Sequence, residues 1–244
     1  MLHWLPEDVS PYGGGIDALF RLIYYLTAAV FLTVTIVMVV FLFWYRHQEG
    51  RRATYTHGNT TVEIIWTVIP AAIFIWLGFA SKSIWEAIKM TIPPTDTEIR
   101  VTAKQFNWEI RYPGPDGQFD TADDKQVDNE VHIPVGKPIR VILKSRDVIH
   151  SFFLPNLRFK QDAVPGREII AWFQANKPGK YEIPCAELCG FGHSGMKGWL
   201  HALSTEDYQK WVHEQWPGIS SSTPTRAQLA IPEETPLPSS MPPA

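Results

Sequence analysis

The chain has 244 residues, a formal net charge of −3 and a hydrophobic fraction of 45%. That length accommodates one large domain or two modest ones with a buried core. The mild charge provides none of the clustered basic surface that nucleic-acid binding requires, so the composition argues against a nucleic-acid partner.

The first predicted element is a membrane-spanning helix. Residues 22–45 contain no charged side chain and are bounded by Arg21 and Arg46, whereas about 20 residues are enough for a helix to cross the bilayer core. A signal peptide is the alternative interpretation. The apolar stretch is longer than a signal peptide requires, and it lacks a basic start and a small-residue cleavage site. We therefore predict a helix over about 20–46, preceded by an outer segment of 1–18.

A second apolar stretch, 64–81, lies between Glu63 and Lys82 and contains Pro70. Transmembrane helices tolerate proline where neighbouring groups satisfy the freed carbonyl. This pattern predicts a second helix over about 62–89, which completes a transmembrane hairpin within residues 19–90.

The orientation follows from three arginines, Arg46, Arg51 and Arg52, in the connection between the two helices. By the positive-inside rule this connection is cytoplasmic. Two crossings then place the N-terminus and everything after about residue 90 on the outer side. The large C-terminal domain is predicted to face the periplasm or its equivalent.

Residues 97–203 alternate short β-rich stretches with Pro, Gly and Asp clusters, which is typical of an all-β sandwich or barrel. The predicted strands are 99–104, 107–112, 131–134, 139–144, 169–173, 180–184 and 198–203. Ser204, with Asp207 three residues later, predicts a short amphipathic helix that closes a domain of 91–216. The Pro- and Ser-rich remainder, 217–244, is predicted to be an extended or disordered tail.

The chemistry-bearing residues lie in one short segment. The only two cysteines, Cys185 and Cys189, are followed by His193 and Met196, and thiolate, imidazole and thioether are ligands that copper prefers. His150 offers a second imidazole at the end of a strand. A disulfide is the alternative for the cysteines, but it would close a very short loop and leave His193 and Met196 without a role. The segment therefore predicts a metal site.

The number of thiolates favours a binuclear copper site. A mononuclear blue-copper site uses one thiolate, two imidazoles and a weak axial methionine, whereas two thiolates can each bridge two metals. Such a closed site suits electron transfer rather than bond making, because no coordination position is left open. No Cys-x-x-Cys-His motif occurs in the sequence, which excludes a covalently attached c-type haem.

The segment Cys-Ala-Glu-Leu-Cys-Gly-Phe-Gly-His-Ser-Gly-Met, residues 185–196, resembles the CuA loop of cytochrome c oxidase subunit II. The resemblance extends over the two helices and the β domain, and it implies a cupredoxin-like fold holding two copper ions. It implies side-chain ligation by His150, Cys185, Cys189, His193 and Met196, and ligation by the backbone oxygen of Glu187. In the family, the carboxylate at the position of Glu187 also points toward a magnesium ion shared with subunit I.

The resemblance implies a function as well. Family members in a bacterial inner membrane accept electrons from cytochrome c or another periplasmic carrier. They pass these electrons to the haem and CuB of subunit I, where oxygen is reduced and protons are pumped, and subunit III is a further expected partner. The rival functions are the CuA domain of another reductase, a copper-delivery protein and a quinol-oxidase homologue. The two membrane helices argue against the CuA domain of another reductase. The closed ligand set argues against a copper-delivery protein. The presence of all the copper ligands argues against a quinol-oxidase homologue.

Three further features carry expectations. Glu63 matches a family glutamate associated with proton uptake, and its alternative role is an interfacial charge that ends the helix. The family usually has a tryptophan for electron entry where this chain has Phe106, so that entry is assigned to Phe106 or to Trp108, which could instead be a core residue. The acidic segment 113–130 could be a solvated loop, a donor-docking surface or a calcium site.

Overall fold

The computed structural model describes residues 5–52, 54–95 and 97–217. The chain forms two compact units, one ending at Ile92 and the other beginning at Pro93. From residue 218 onward, the predicted tail lies outside the described residues, so its conformation stays a prediction.

The first unit contains two long helices, α1 (Gly13–Trp44) and α2 (Thr60–Trp85), and α2 continues as a π-helical turn over Glu86–Met90. The helix α1 begins earlier than predicted, and the N–H of its first residue has a partner. The hydroxyl of Ser10 accepts a hydrogen bond from the Gly13 backbone N–H at 2.8 Å, which satisfies one of the donors that a helix start leaves free. Both predicted helices are therefore confirmed.

The side chains of the two helices point outward. In α1 only Gly13 is buried, and no residue of α2 is buried. A Cβ atom placed on Gly15 would lie 3.5 Å from the side chain of Ile84, so the start of α1 lies beside the end of α2 and the two helices run antiparallel. Their apolar surfaces can be covered only by lipid or by other membrane chains.

The second unit is all-β apart from one terminal helix. Its strands in the described residues are β1 (Thr97–Lys104), β2 (Asn107–Tyr112), β3 (Lys125–Asp128), β4 (Glu130–Pro134), β5 (Ile139–Ser145), β6 (His150–Leu154), β7 (Phe159–Ala163), β8 (Ile169–Phe173), β9 (Gly179–Pro184) and β10 (Lys197–Leu203). The terminal helix is α3 (Thr205–Gln215). The predicted order of a helical hairpin followed by an all-β domain is confirmed.

The strands form a layered β fold. One sheet has the order β3-β2-β1-β5-β8, a second has the order β4-β10-β9, and β6 pairs with β7. The pairs β1–β5 and β4–β10 are parallel, whereas β1–β2, β5–β8, β9–β10 and β6–β7 are antiparallel. This topology brings β6 next to β9, because Phe152 on β6 forms an isolated bridge with Cys185 at the end of β9.

Aromatic side chains fill the core of the β unit. Trp108 and Phe152 are fully buried with ring centroids 5.2 Å apart, and Phe159 and Phe173 pack 5.4 Å apart beside them. Along β1 and β10, alternate residues are buried and the intervening residues are more exposed.

Three strands, β3, β6 and β7, were not predicted. The strands β3 and β7 have the sequences Lys-Gln-Val-Asp and Phe-Lys-Gln-Asp-Ala. Strands with so many polar residues lack the hydrophobic alternation from which a strand is predicted. The strand β6 is short and almost wholly buried, so it shows no alternation. Each is held in place by pairing with a neighbouring strand.

Candidate metal centre

The loop between β9 and β10, residues 185–196, carries most of the candidate ligands. Its two ends are tied together, because the Cys185 backbone N–H donates to the Met196 carbonyl at 3.0 Å. The Ala186 N–H donates to the Ser151 carbonyl on β6, also at 3.0 Å. These contacts fix the loop over the first residues of β6 and bring His150 to it.

The two thiols lie between the two imidazoles. The sulfurs of Cys185 and Cys189 are 3.9 Å apart. The Nδ1 atom of His150 lies 3.9 Å from the sulfur of Cys185, and the Nδ1 atom of His193 lies 3.6 Å from the sulfur of Cys189. Each imidazole nitrogen therefore faces a different sulfur.

Two further donor atoms flank the sulfurs on opposite sides. The thioether sulfur of Met196 lies 3.8 Å from the Cys189 sulfur, and the backbone oxygen of Glu187 lies 3.3 Å from the Cys185 sulfur. Cys185, Cys189, Met196 and His150 are buried, while the Glu187 side chain is exposed. All six residues predicted from the sequence thus lie together.

Both cysteines are free thiols. Burial and the neighbouring Cys185 raise the pKa of the Cys189 thiol to about 11. A thiol must lose its proton to bind a metal. A metal cation bound in this loop would therefore displace the thiol protons and stabilise the thiolates by its positive charge. The geometry suits a metal better than it suits a structural crosslink.

Sequence reasoning missed the residues that orient the ligands. Asp147 accepts a hydrogen bond from His150 Nε2 at 2.8 Å, which leaves Nδ1 of the imidazole directed at the sulfur. Asp147 also accepts from the Gln105 backbone N–H at 2.7 Å, and the Gln105 amide donates to the Cys189 carbonyl at 2.5 Å. A carboxylate on the distal nitrogen is the usual way to fix a ligating histidine. The signal in the sequence was the Asp-Val-Ile-His spacing.

Phe106 and Trp108 occupy different environments. Phe106 is 38% exposed and lies against the loop, since a Cβ atom on Gly192 would come within 2.4 Å of its ring. Trp108 is fully buried on β2, with its ring centroid 6.1 Å from that of His150. Only Phe106 is at the surface.

The acidic segment is held to the sheet by two arginines. Arg100 and Arg111 donate to the Asp120 carboxylate at 2.8 and 2.7 Å, and a hydrogen bond from Arg100 lowers the pKa of Asp120 below its usual value. Thr121 donates to Asp123 at 2.7 Å. The charge of Asp120 is therefore compensated within the chain, whereas Asp123 receives only a neutral hydrogen bond from the described residues.

Glu63 lies in the first turn of α2, where Asn59 caps the helix by accepting from the Thr61 and Val62 N–H groups at 3.1 and 3.2 Å. A carboxylate is stabilised at a helix N-terminus by the helix dipole. Glu63 is exposed in this unit, and a Cβ atom on Gly58 would lie 2.8 Å from its carboxylate. All of these contacts of Glu63 and Asn59 lie within the helical unit.

Taken as a donor set, the loop and β6 offer two thiolates, two imidazoles, one thioether and one carbonyl. Soft and borderline ligands of this kind select copper over magnesium or calcium. The ligand atoms of His150, Cys185 and Cys189 all lie within 4.8 Å of one another. The residues present therefore fit a copper centre.

Comparison with known proteins agrees with this chemistry. Residues 2–84 match the family model of the cytochrome c oxidase subunit II transmembrane domain, and residues 99–202 match that of its periplasmic domain. The alternative cytochrome c oxidase subunit 2 of Bradyrhizobium diazoefficiens is 30% identical over 87% of this chain and 84% of its own length. The cytochrome c oxidase subunit 2 of Thermostichus vulcanus is 30% identical over 85% of this chain and 77% of its own length.

Among solved structures, the periplasmic domain of cytochrome oxidase subunit II of Bradyrhizobium japonicum is 31% identical, with a TM-score of 0.47, and covers 53% of this chain and 100% of that one. The predicted fold class, with its membrane helices and cupredoxin-like β domain, is confirmed by the family models. Copper binding is consistent with this family. The chain belongs to the cytochrome c oxidase subunit II family.

Proposed function

We propose that the site holds two copper ions, with His150, Cys185, Cys189, His193 and Met196 as side-chain ligands and Glu187 as a backbone ligand. The observation that carries this proposal is that each imidazole Nδ1 faces a different thiol sulfur, at 3.9 and 3.6 Å. A mononuclear site would direct both imidazoles at one metal beside one thiolate. Two separate thiol–imidazole pairs favour one ion per pair.

Family membership makes the chain a subunit of a cytochrome c oxidase, a haem-copper oxidoreductase of the membrane. When bound, the copper pair supplies a one-electron carrier. The protein buries both sulfurs, and Asp147 holds the His150 imidazole. We infer that this subunit is the entry point for electrons, not the site of oxygen reduction.

In this proposal the chain accepts electrons from a periplasmic donor, and cytochrome c is the donor we favour. It passes them to the haem and CuB of subunit I, which reduces oxygen and pumps protons, and subunit III completes the expected assembly. Family membership implies a bacterial inner membrane, and the arginines of the connection support an orientation with the β unit on the periplasmic side. The outward-facing apolar helices support contact with other membrane subunits.

The copper count is tested by electron paramagnetic resonance of the copper-loaded full chain in detergent, together with metal quantification. We expect the hyperfine pattern of one unpaired electron shared by two equivalent copper nuclei, with twice as much copper as protein. A pattern from a single copper nucleus at equal copper and protein would show a mononuclear site, and the proposal would fail.

A magnesium ion at the Glu187 carboxylate is a further part of the proposal. The side chain is exposed beside the sulfurs, and carboxylate oxygen is the ligand that magnesium prefers. Leu188 and Phe191, which flank it in the loop, are 77% and 105% exposed. Apolar side chains this exposed suit burial against subunit I, where the ion would be shared.

The exposed Phe106 leads to a prediction about electron entry. We expect Phe106→Ala to lower the second-order rate of reduction by cytochrome c by roughly 10-fold, within the range by which association rates vary among mutants of one interface. The reason is that Phe106 is the exposed ring packed on the metal loop. Stopped-flow reduction of the oxidase measures the rate.

Ile170→Ala is the matched control, because Ile170 is 44% exposed on β8, outside the loop. The copper resonance spectrum of both variants should match that of the parent chain. If Phe106→Ala and Ile170→Ala react at equal rates, electron entry does not pass through Phe106.

A second prediction concerns Glu63 as an entry to a proton path. We expect Glu63→Gln to slow oxidase turnover several-fold, because the amide keeps the size of the side chain but cannot take up a proton at neutral pH. Steady-state oxygen consumption measures turnover, and the copper spectrum should be unchanged.

Glu49→Gln serves as the control, since Glu49 is an exposed acid in the connection between the helices. Equal turnover in the two variants would show that Glu63 only stabilises the N-terminus of α2 through the helix dipole.

A further inference from the structure

A second cluster of ligand-type side chains lies on the sheet of β4, β10 and β9, outside the copper loop. Glu130 and His132 are two residues apart on β4, and His201 is on β10. The parallel pairing places His201 directly beside His132, and Trp199 beside Glu130. Buried residues alternate with these on both strands, so all three side chains share the outer face of the sheet.

The three side chains converge at atomic distances. One ligand atom from each of Glu130, His132 and His201 lies within 4.8 Å of the others. His201 Nε2 is in direct contact with a carboxylate oxygen of Glu130. The imidazole rings of His132 and His201 are stacked, with centroids 4.6 Å apart and planes 7° apart.

The position of His132 is fixed from several directions. Trp211 of α3 stacks on its ring, with centroids 4.8 Å apart and planes 9° apart. The backbone N–H of His132 donates to the Tyr112 hydroxyl at 2.6 Å. Its Nδ1 atom is buried and has no hydrogen-bond partner among the described residues, although a buried polar atom normally has one.

Access and charge also suit a cation. The side chains of His201 and Glu130 are 23% and 37% exposed, so an ion can reach the cluster from solvent. Lys180 pairs with His201 across β9 and β10. Its ammonium group lies 4.5 Å above the Trp199 ring instead of on the Glu130 carboxylate.

We propose that Glu130, His132 and His201 form a second metal site, which takes one divalent cation of the zinc class. Two imidazoles and one carboxylate are a common protein ligand set for zinc, with water in the remaining position. Calcium and magnesium bind oxygen ligands in larger number, so they fit this cluster poorly. A metal lies close to the plane of a bound imidazole, so the partly exposed His201 ring must turn out of its stack for both imidazoles to bind, while Trp211 holds His132.

The test uses the full chain in detergent after copper loading, so that the loop thiols are occupied. Zinc alone is titrated by calorimetry, and metal content is measured after gel filtration. We expect one zinc ion per chain beyond the copper. His201→Gln and His132→Val should each weaken binding by more than about 100-fold, the upper end of the loss seen when an outer-shell partner is removed.

His213→Gln is the matched control, because His213 is an exposed histidine on α3 outside the cluster, and zinc affinity should be unchanged in it. Circular dichroism and the copper resonance spectrum of each variant should match those of the parent chain, which separates loss of the site from loss of the fold. Unchanged affinity in His201→Gln would overturn the proposal. So would zinc uptake that depends on Cys185 and not on His201.

Discussion

Replacing Cys189 by serine is expected to abolish the paired copper spectrum and to lower oxidase turnover by at least roughly 100-fold, since even an outer-shell partner of a metal costs 10–100-fold in affinity or activity. Cys189 is the sulfur closest to both His193 and Met196, at 3.6 and 3.8 Å. Serine keeps the shape of the side chain but offers a hard, weakly acidic oxygen that copper does not favour. Copper resonance and oxygen consumption measure the two effects.

Leu188→Ser is the control for the copper spectrum of this variant. Leu188 is the preceding residue of the same loop and is 77% exposed, so the substitution changes the loop without removing a candidate ligand. Its copper spectrum should be that of the parent chain. Normal turnover in Cys189→Ser would show that this thiol does not carry electrons and would end the assignment of the site.

Replacing Trp108 by alanine is expected to lower the free energy of unfolding by about 3–5 kcal/mol, the usual cost of removing a large buried aromatic ring. Trp108 is fully buried between Phe152 and His150, with ring centroids 5.2 and 6.1 Å away. The cavity would open directly beneath a candidate ligand, so copper affinity should fall as well. Guanidinium titration of the full chain in detergent, followed by near-ultraviolet circular dichroism, measures the change.

Two comparisons sharpen the Trp108 prediction. Trp108→Phe should cost much less, because it keeps most of the ring volume and removes an indole N–H that has no hydrogen-bond partner among the described residues. Phe191→Ala should stay within about 0.5 kcal/mol of the parent chain, since Phe191 is fully exposed. Equal losses in Trp108→Ala and Phe191→Ala would contradict a core role for Trp108.

The membrane helices were the easiest part of the fold to predict, because a long apolar run has few other uses. The strands with alternating or strongly apolar sequence, such as β5 and β8, were also found with nearly their observed bounds. The polar strand β7 was missed because its register comes from β6, through pairs such as His150 with Ala163. That pairing depends on contacts distant in sequence, and no local pattern encodes it.

Most of the candidate site could be predicted because its ligands are neighbours in the sequence. The distant residue His150 was predicted as a ligand from the motif around it. Its position next to the loop depends on the bridge between Phe152 and Cys185. Asp147 was overlooked as an orienting residue because an acid in a turn is usually only solvated. The cluster of Glu130, His132 and His201 could not be predicted from the sequence, because only the parallel pairing of β4 with β10 brings these residues together.

The length of α1 has a consequence for the height of the N-terminal segment above the bilayer. A helix of 32 residues is about 48 Å long, whereas the hydrocarbon core is about 30 Å thick. The uncharged stretch of 22–45 is about 36 Å long and nearly matches that core, whereas Asp17 and Arg21 make the first turns of the helix too polar to enter lipid. We therefore expect the first turns of α1 to project from the hydrocarbon core and to place residues 5–12 at or above the headgroups.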